Sequence, residues 1–150
     1  MLLAVGEHVL GDLGPRGVRI AGGLAGGVGD TRQEMCGALS GGVLVIGASL
    51  GRESLNEDDR PALDLAARYR ERFLAELGDT QCARLREMVY APGGLGSCAL
   101  LVERTAVILL ELLAGANREF EYGCNWLPCP LAGVCGTQPI AGPLCGRLLR

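Results

Sequence analysis

Three cysteines stand where the sequence predicts helices to begin: Cys36, Cys82 and Cys98. The free N–H groups of a helix N-terminus carry partial positive charge, which stabilises thiolate over thiol and lowers the pKa of a cysteine. The thiolate is the form that attacks disulfides and binds soft metals. If the helix starts lie at one end of a bundle, the three thiols converge on a redox or metal site. The alternative is that they are small buried hydrophobic residues.

Hydrophobic periodicity predicts helices throughout the region that carries these cysteines, and no segment shows the alternation of a strand. We therefore expect an all-α fold, an antiparallel helical bundle of about five helices. The helix from Met35 to about Leu50 contains no charged residue, so it should be the central buried element. The predicted elements are helices at residues 1–10, 15–21, 35–50, 58–77 and 98–113, with a short helical turn at residues 79–88.

Local signals predict where several of these helices start and stop. Thr31 and Glu34 have capping-box spacing before the third helix. Pro61 and Gly78 are the expected start and stop signals of the fourth helix, and Ser97 is placed to cap the last one. The apolar face predicted for the fourth helix consists of Leu63, Ala66, Ala67, Phe73, Leu74 and Leu77.

A glycine-rich stretch, GGVGDTRQEMCGALSGG at residues 26–42, surrounds the first of the three cysteines. Its early glycines permit the positive backbone torsions of a tight connection. The later ones make a flat helical face that lets another backbone or a cofactor approach closely. The cofactor-binding candidates are Gly29, Gly37, Ala38 and Gly41. A phosphate loop is disfavoured, because no Gly-Lys-Ser/Thr follows and the preceding segment has the pattern of a helix. Anion binding here would need several backbone N–H groups converging on an open pocket.

The composition excludes several classes of chemistry. All fourteen basic residues are Arg, which removes Schiff-base and Walker lysines, and His8 is the single histidine. A His-rich zinc site and covalent haem attachment through Cys-x-x-Cys-His are therefore excluded. The net charge of −3 is dispersed, which gives no reason to expect a nucleic-acid partner. No signal peptide or membrane-inserted segment is expected, so we predict a reducing cytoplasmic location, where thiols more often serve metals or redox chemistry than structural disulfides.

The sequence changes character from residue 116 onward. Four of the seven prolines and four of the seven cysteines fall in the last thirty residues, and helical periodicity is lost. The spacing of these cysteines matches no common zinc or ferredoxin pattern. We expect a helical domain over residues 1–115 and an irregular or disordered tail over residues 116–150. The tail cysteines are Cys124, Cys129, Cys135 and Cys145.

Motifs around the three cysteines follow one another in an ordered series. A Gly-Gly-Val-Gly segment precedes Cys-Gly-Ala-x-x-Gly at residues 36–41; Cys82 follows a helix with Phe73 and then Gly78; and Cys98 opens an apolar helix. In this order the chain resembles the family of redox-active proteins called C_GCAxxG_C_C, over roughly residues 1–113.

The resemblance implies a redox or electron-transfer role, commonly beside oxidoreductases or transporters. Family members usually carry a further cysteine at the start of the first helix, and this chain begins at Met1 about where that helix is already under way. Four thiols would complete a tetrahedral metal or iron–sulfur site, whereas three need an outside ligand or a tail cysteine.

We hypothesise a redox-active thiol site formed by Cys36, Cys82 and Cys98, with Cys36 as the thiolate. It would either exchange with disulfides, in concert with an oxidoreductase partner, or ligate an iron–sulfur cluster or another soft metal. The rival interpretation is a non-catalytic helical interaction module. Its uncharged glycine-rich helix would then be a homodimer interface, and its cysteines would be core residues.

Overall fold

The fold is all-α, as predicted, throughout the part of the chain that the structure describes. The structure is a computed structural model that describes residues 1–121, with side chains described through Ala116. A π-helical turn at Leu2–Gly6 leads into the first α-helix, and a short 3-10 turn at Gly22–Leu24 follows the second. The six α-helices of the described residues are α1 (Glu7–Leu10), α2 (Gly14–Ile20), α3 (Gly37–Leu50), α4 (Arg60–Leu77), α5 (Cys82–Tyr90) and α6 (Cys98–Glu121).

Helix α3 lies at the centre of the core, where it contacts α4, α6 and the π-helical turn. Its uncharged sequence suits this position, because a helix that packs against several elements has little surface left for charged side chains. The expectation of a central buried helix is therefore confirmed. The buried residues of α3 are Ala38, Leu39, Ser40, Gly41, Gly42, Val45 and Ile46.

Two adjacent glycines of α3 allow other parts of the chain to approach its backbone. A Cβ atom on Gly41 would lie 3.0 Å from the Cβ atom of Met1, and one on Gly42 would overlap the ring of Tyr69. Tyr69 is fully buried, and its hydroxyl donates a hydrogen bond to the Ala38 carbonyl at 3.3 Å. Packing within the chain thus accounts for these glycines without a second copy.

Helix α4 begins at Arg60, carries Pro61 in its first turn and ends at Gly78, whose φ of +78° is the left-handed conformation of a helix stop. These boundaries confirm the predicted start and stop signals. The predicted apolar face is wrong in part, since Leu63 is 55% exposed. The inward face is centred on Tyr69 instead, because its ring and hydroxyl both find partners inside the core. The buried residues of α4 are Ala62, Leu65, Tyr69 and Phe73.

Helix α6 begins where Ser97 accepts a hydrogen bond from the Ala99 N–H at 3.1 Å, as predicted. It continues beyond the expected end near Leu113 and passes residue 116, because the next residues include the good helix formers alanine, arginine and glutamate. Residues 116–121 of the predicted irregular tail are therefore helical, and the rest of that tail, with its four cysteines, lies outside the described residues. None of the helices in the described residues combines the length and the hydrophobicity of a membrane span.

Candidate thiol site

The starts of α3 and α5 are joined by a short antiparallel pairing of the segments that precede them. Met35 lies opposite Gln81 in an isolated β-bridge. The Cys36 N–H donates to the Thr80 carbonyl at 2.8 Å, and the Cys82 N–H donates to the Glu34 carbonyl at 2.9 Å. Two helix starts that are 46 residues apart in the sequence are thereby fixed side by side.

This pairing places Cys36 and Cys82 on one face. Each follows the opposed Met35–Gln81 pair by one residue on its own segment, so the two cysteines are diagonal neighbours. Diagonal neighbours of an antiparallel pair are separated by about 7–8 Å, so the two thiols are close in space although the pairing does not bring them into direct contact. The bridge is not predictable from the sequence, because one isolated pair of residues leaves no alternating pattern.

The connection before α3 folds over the second of these cysteines. Gly27 has a φ of +72°, and a Cβ atom there would lie 2.7 Å from the Cβ atom of Cys82. The predicted capping box is wrong: α3 begins after Cys36, and the Thr31 hydroxyl donates to the Gly27 carbonyl at 2.7 Å instead. Thr31 therefore stabilises the loop that covers Cys82 and does not cap the helix.

Cys98 approaches the other two cysteines from the start of α6. It is the first residue of that helix and is half-buried, whereas Cys36 is 9% and Cys82 is 5% exposed. Its sulfur lies 4.0 Å from Arg86 Nη1 and 3.9 Å from the Tyr90 hydroxyl oxygen. All three cysteines are free thiols, and they line one cavity of about 510 Å³ whose other walls are mainly apolar.

The glycine-rich face lies in the same cavity. Gly37, Ala38 and Gly41 line it, and their role in cofactor binding stays a prediction. Gly29 lies elsewhere, in open space where an added Cβ atom would meet nothing within 4 Å. The Leu24 carbonyl lies 3.1 Å from a Cβ atom built on Gly37, so the backbone of the preceding turn already occupies part of this face.

A family model described as "Putative redox-active protein (C_GCAxxG_C_C)" matches residues 1–112. The chain belongs to the C_GCAxxG_C_C family. The match contains all three cysteines of the cavity and confirms the resemblance that their motifs indicated. No curated protein and no solved structure matches the chain.

Burial decides the acidity of the two covered cysteines of this C_GCAxxG_C_C protein. It raises the pKa of Cys36, and the neighbouring thiols Cys82 and Cys98 act in the same direction. The backbone N–H groups of Ala38 and Leu39 lower the pKa of Cys36, although its side chain forms no capping hydrogen bond with the helix. The prediction that its position at the helix start makes Cys36 the favoured thiolate is therefore wrong, because desolvation exceeds the field of the helix start.

Burial also raises the pKa of Cys82, but here a cation opposes it. The Arg86 guanidinium lowers the pKa of Cys82, Cys98 and Asp30 raise it, and Arg32 lowers it. Arg86 and Tyr90 lie beside the Cys98 sulfur and are not among the site residues predicted from the sequence. Their signal was their spacing, since they follow Cys82 by four and eight residues and so share its face of α5.

The loop at residues 26–34 does not offer the open N–H groups that an anion site requires. Its backbone N–H groups at Gly29, Asp30, Thr31 and Arg32 all donate to nearby carbonyl oxygens at 2.9 to 3.2 Å. Because these four N–H groups already have carbonyl acceptors, they are not available to an anion. The geometry therefore gives no support to the anion-binding alternative.

A metal site was the second branch of the sequence hypothesis. Among the described side chains, no group of three or more His, Cys, Asp or Glu residues is arranged to hold a metal ion. A structural zinc or iron–sulfur centre commonly needs four such ligands. The donor set within the described part of the chain does not fit a closed metal centre.

Proposed function

We propose that this C_GCAxxG_C_C protein is a thiol–disulfide redox protein whose reactive groups are Cys36, Cys82 and Cys98. The observation that carries the proposal is the convergence of three free thiols, from three separate helix starts, on one cavity. The family's description as redox-active supports the same conclusion.

The reaction is an exchange with a partner disulfide. One protein thiolate attacks a sulfur of that disulfide, a mixed disulfide forms, and the partner's other sulfur leaves as a thiolate that is protonated by water. A second protein thiolate then attacks the mixed disulfide and releases the remaining partner thiol. The protein has lost two electrons and gained one internal disulfide, while the partner has gained two electrons and two thiols. The reverse sequence reduces the protein.

The cavity suits this exchange because its lining is mainly apolar and also contains charged side chains. Apolar residues such as Leu2 and Leu101 line it, together with Asp30 and Arg86. A partner that presents its disulfide on a protruding loop or as a small molecule would reach the sulfurs there. We infer an oxidoreductase of that kind as the partner and a reducing compartment as the setting. Homodimer formation stays an untested prediction.

Peptide mapping tests the proposal. The full-length protein is reduced, equilibrated with dithiothreitol of increasing oxidised fraction, alkylated and cleaved after arginine. Each of the three cysteines falls into a different peptide, and the tail cysteines all fall into a fourth peptide. The four peptides are residues 33–52, 73–84, 87–104 and 119–147. We expect a disulfide joining two of the first three peptides at a defined redox poise.

Two results would contradict the proposal. Either all three thiols stay reduced at every poise, or disulfides form only within the tail peptide. Metal analysis and a visible spectrum of anaerobically purified protein test the metal branch in parallel. A stoichiometric iron or zinc content that blocks alkylation of all three cysteines would replace thiol exchange by metal binding.

A further inference from the structure

Cys98 differs from the other two cysteines in the groups that touch its sulfur. Arg86 Nη1 lies at 4.0 Å and the Tyr90 hydroxyl oxygen at 3.9 Å, both within the range of a hydrogen bond to sulfur. The Arg86 guanidinium is also stacked over the Tyr90 ring, with its central carbon 5.2 Å from the ring centroid. This stacking holds the cation in place beside the thiol.

One face of α5 presents both groups toward the start of α6. Cys82, Arg86 and Tyr90 follow each other at intervals of four residues, which places them on one side of the helix. Arg86 therefore acts on two sulfurs at once: it contacts Cys98 and favours the thiolate of Cys82. A single cation therefore lies close to two of the three sulfurs.

Cys36 lacks this setting. The influences on its thiol are burial, the two neighbouring cysteines and the N–H groups of Ala38 and Leu39, and burial is the largest. A buried neutral thiol reacts slowly, because only the thiolate attacks a disulfide. Cys36 is thus poorly suited to the first attack, contrary to the role that the sequence analysis gave it.

We propose that Arg86, held by Tyr90, makes Cys98 the thiol that attacks the partner disulfide and Cys82 the thiol that resolves the mixed disulfide. This inference rests on the proposed function and assigns its order. The Cys98 sulfur bonds to one sulfur of the partner, whose S–S bond breaks and whose other sulfur leaves. The Cys82 thiolate then attacks the Cys98 sulfur, the second partner thiolate leaves, and Arg86 faces the negative charge in both steps.

Alkylation rates in the fully reduced protein test the role of Arg86 independently of any exchange. Iodoacetamide is neutral, so the charge of Arg86 does not attract the reagent and the measured rate reports the reactivity of the thiol. We expect Cys98 to react fastest of the three cysteines at pH 7. Arg86→Gln should slow it by about fivefold to tenfold, while Arg86→Lys, which keeps the charge, should slow it by less than about twofold. Tyr90→Phe should have an intermediate effect.

Two controls separate this effect from a loosened fold. Arg104→Gln removes the same charge from α6, where Arg104 pairs with Glu76 at 3.8 Å, and should leave the Cys98 rate unchanged. The buried thiol of Cys36 reports unfolding, because its alkylation would accelerate in a loosened chain. The inference is overturned if Cys98 is not the fastest thiol, or if Arg86→Gln changes its rate no more than Arg104→Gln does.

Trapping tests the order of attack. Cys82→Ser removes the resolving thiol, so treatment with bis(2-hydroxyethyl) disulfide, a neutral probe, should leave an adduct on the peptide that contains Cys98. The same treatment of Cys98→Ser should give at least about tenfold less adduct on Cys82. An adduct that forms first on Cys36 or Cys82 overturns the assignment. Such a result leaves the proposed function intact, whereas the failure of any two cysteines to form a disulfide contradicts the proposed function itself.

Discussion

The thiol site has two sides, and a different kind of contact positions the cysteines on each. On the covered side, formed by residues 26–36 and 79–83, backbone hydrogen bonds and the packing of Gly27 fix the cysteines. On the open side, formed by Arg86, Tyr90 and residues 96–98, side chains surround the sulfur of Cys98. The same sequence signature, a cysteine at a helix start, thus gives two kinds of thiol.

This difference shows that burial and neighbours outweigh the helix terminus in setting thiol chemistry. The partial charge of a helix start acts on all three cysteines. At Cys36 and Cys82 the loss of solvent is the largest influence, and it raises the pKa of both thiols. At Cys98 a cationic side chain remains in contact with the sulfur. The open side is therefore suited to attack and the covered side to storing or resolving a disulfide.

The largest expected effect separates the two sides by substituting one glycine on each. Gly27 and Gly96 both have positive φ, but a Cβ atom meets Cys82 and the Arg32 backbone at Gly27 and nothing within 4 Å at Gly96. Gly96→Ala should lower the free energy of unfolding by about 1–2 kcal/mol, through backbone strain alone. Gly27→Ala should lower it by about 3–4 kcal/mol, because overpacking is added. Urea denaturation of the reduced proteins measures both.

The two variants also differ in what happens to the thiols. Gly27→Ala pushes the covering loop away from Cys82, so alkylation of the peptide at residues 73–84 should accelerate. Gly96→Ala should leave that rate unchanged. Equal losses of stability in the two variants would mean that the loop gives way easily, and that the covered side is less tightly packed than its geometry indicates.

The sequence predicts the open side better than the covered side. The start of α6 follows from Ser97 and the apolar periodicity behind it, and both are local signals. The covered side depends on a pairing between Met35 and Gln81, which are far apart in the sequence. Such a contact is set by tertiary structure and leaves no local pattern. The sequence therefore supports the convergence of Cys36 with Cys82 only as a hypothesis, and the bridge is needed to establish it.

Helix faces show the same limit. The elements of the fold follow from periodicity, but the choice of Leu63 for the interior of α4 was wrong, because Tyr69 takes the central position. The sequence does not reveal that Gly42 leaves space for its ring or that the Ala38 carbonyl accepts its hydroxyl. The contact between Arg86 and Cys98 was not predicted for a related reason: the two residues lie on different helices.

A second pair of substitutions compares the tyrosines that stand behind the two sides. Tyr69 is fully buried behind α3, whereas Tyr90 is 54% exposed beside Cys98. Tyr69→Phe removes a buried hydroxyl that donates to Ala38, and should lower the free energy of unfolding by about 1–2 kcal/mol. Tyr90→Phe should change it by less than about 0.5 kcal/mol. Denaturation curves that show equal losses would place Tyr90 in the core and remove the contrast.

The smallest effect concerns the pH dependence of the covered side. Burial raises the pKa of Cys36 above its ordinary value of 9.0, so the unfolded chain loses this proton first as the pH rises. Stability is full below that value and is lost as the pH rises through the higher pKa of the folded state. Between pH 7.5 and 9.5 the native protein should lose up to about 0.8 kcal/mol more than Cys36→Ala. Urea denaturation under reducing conditions at both pH values gives this difference directly. The comparison of slopes cancels any fixed cost of the substitution, so equal losses would show that Cys36 keeps the same acidity folded and unfolded, and that the covered side does not shield it.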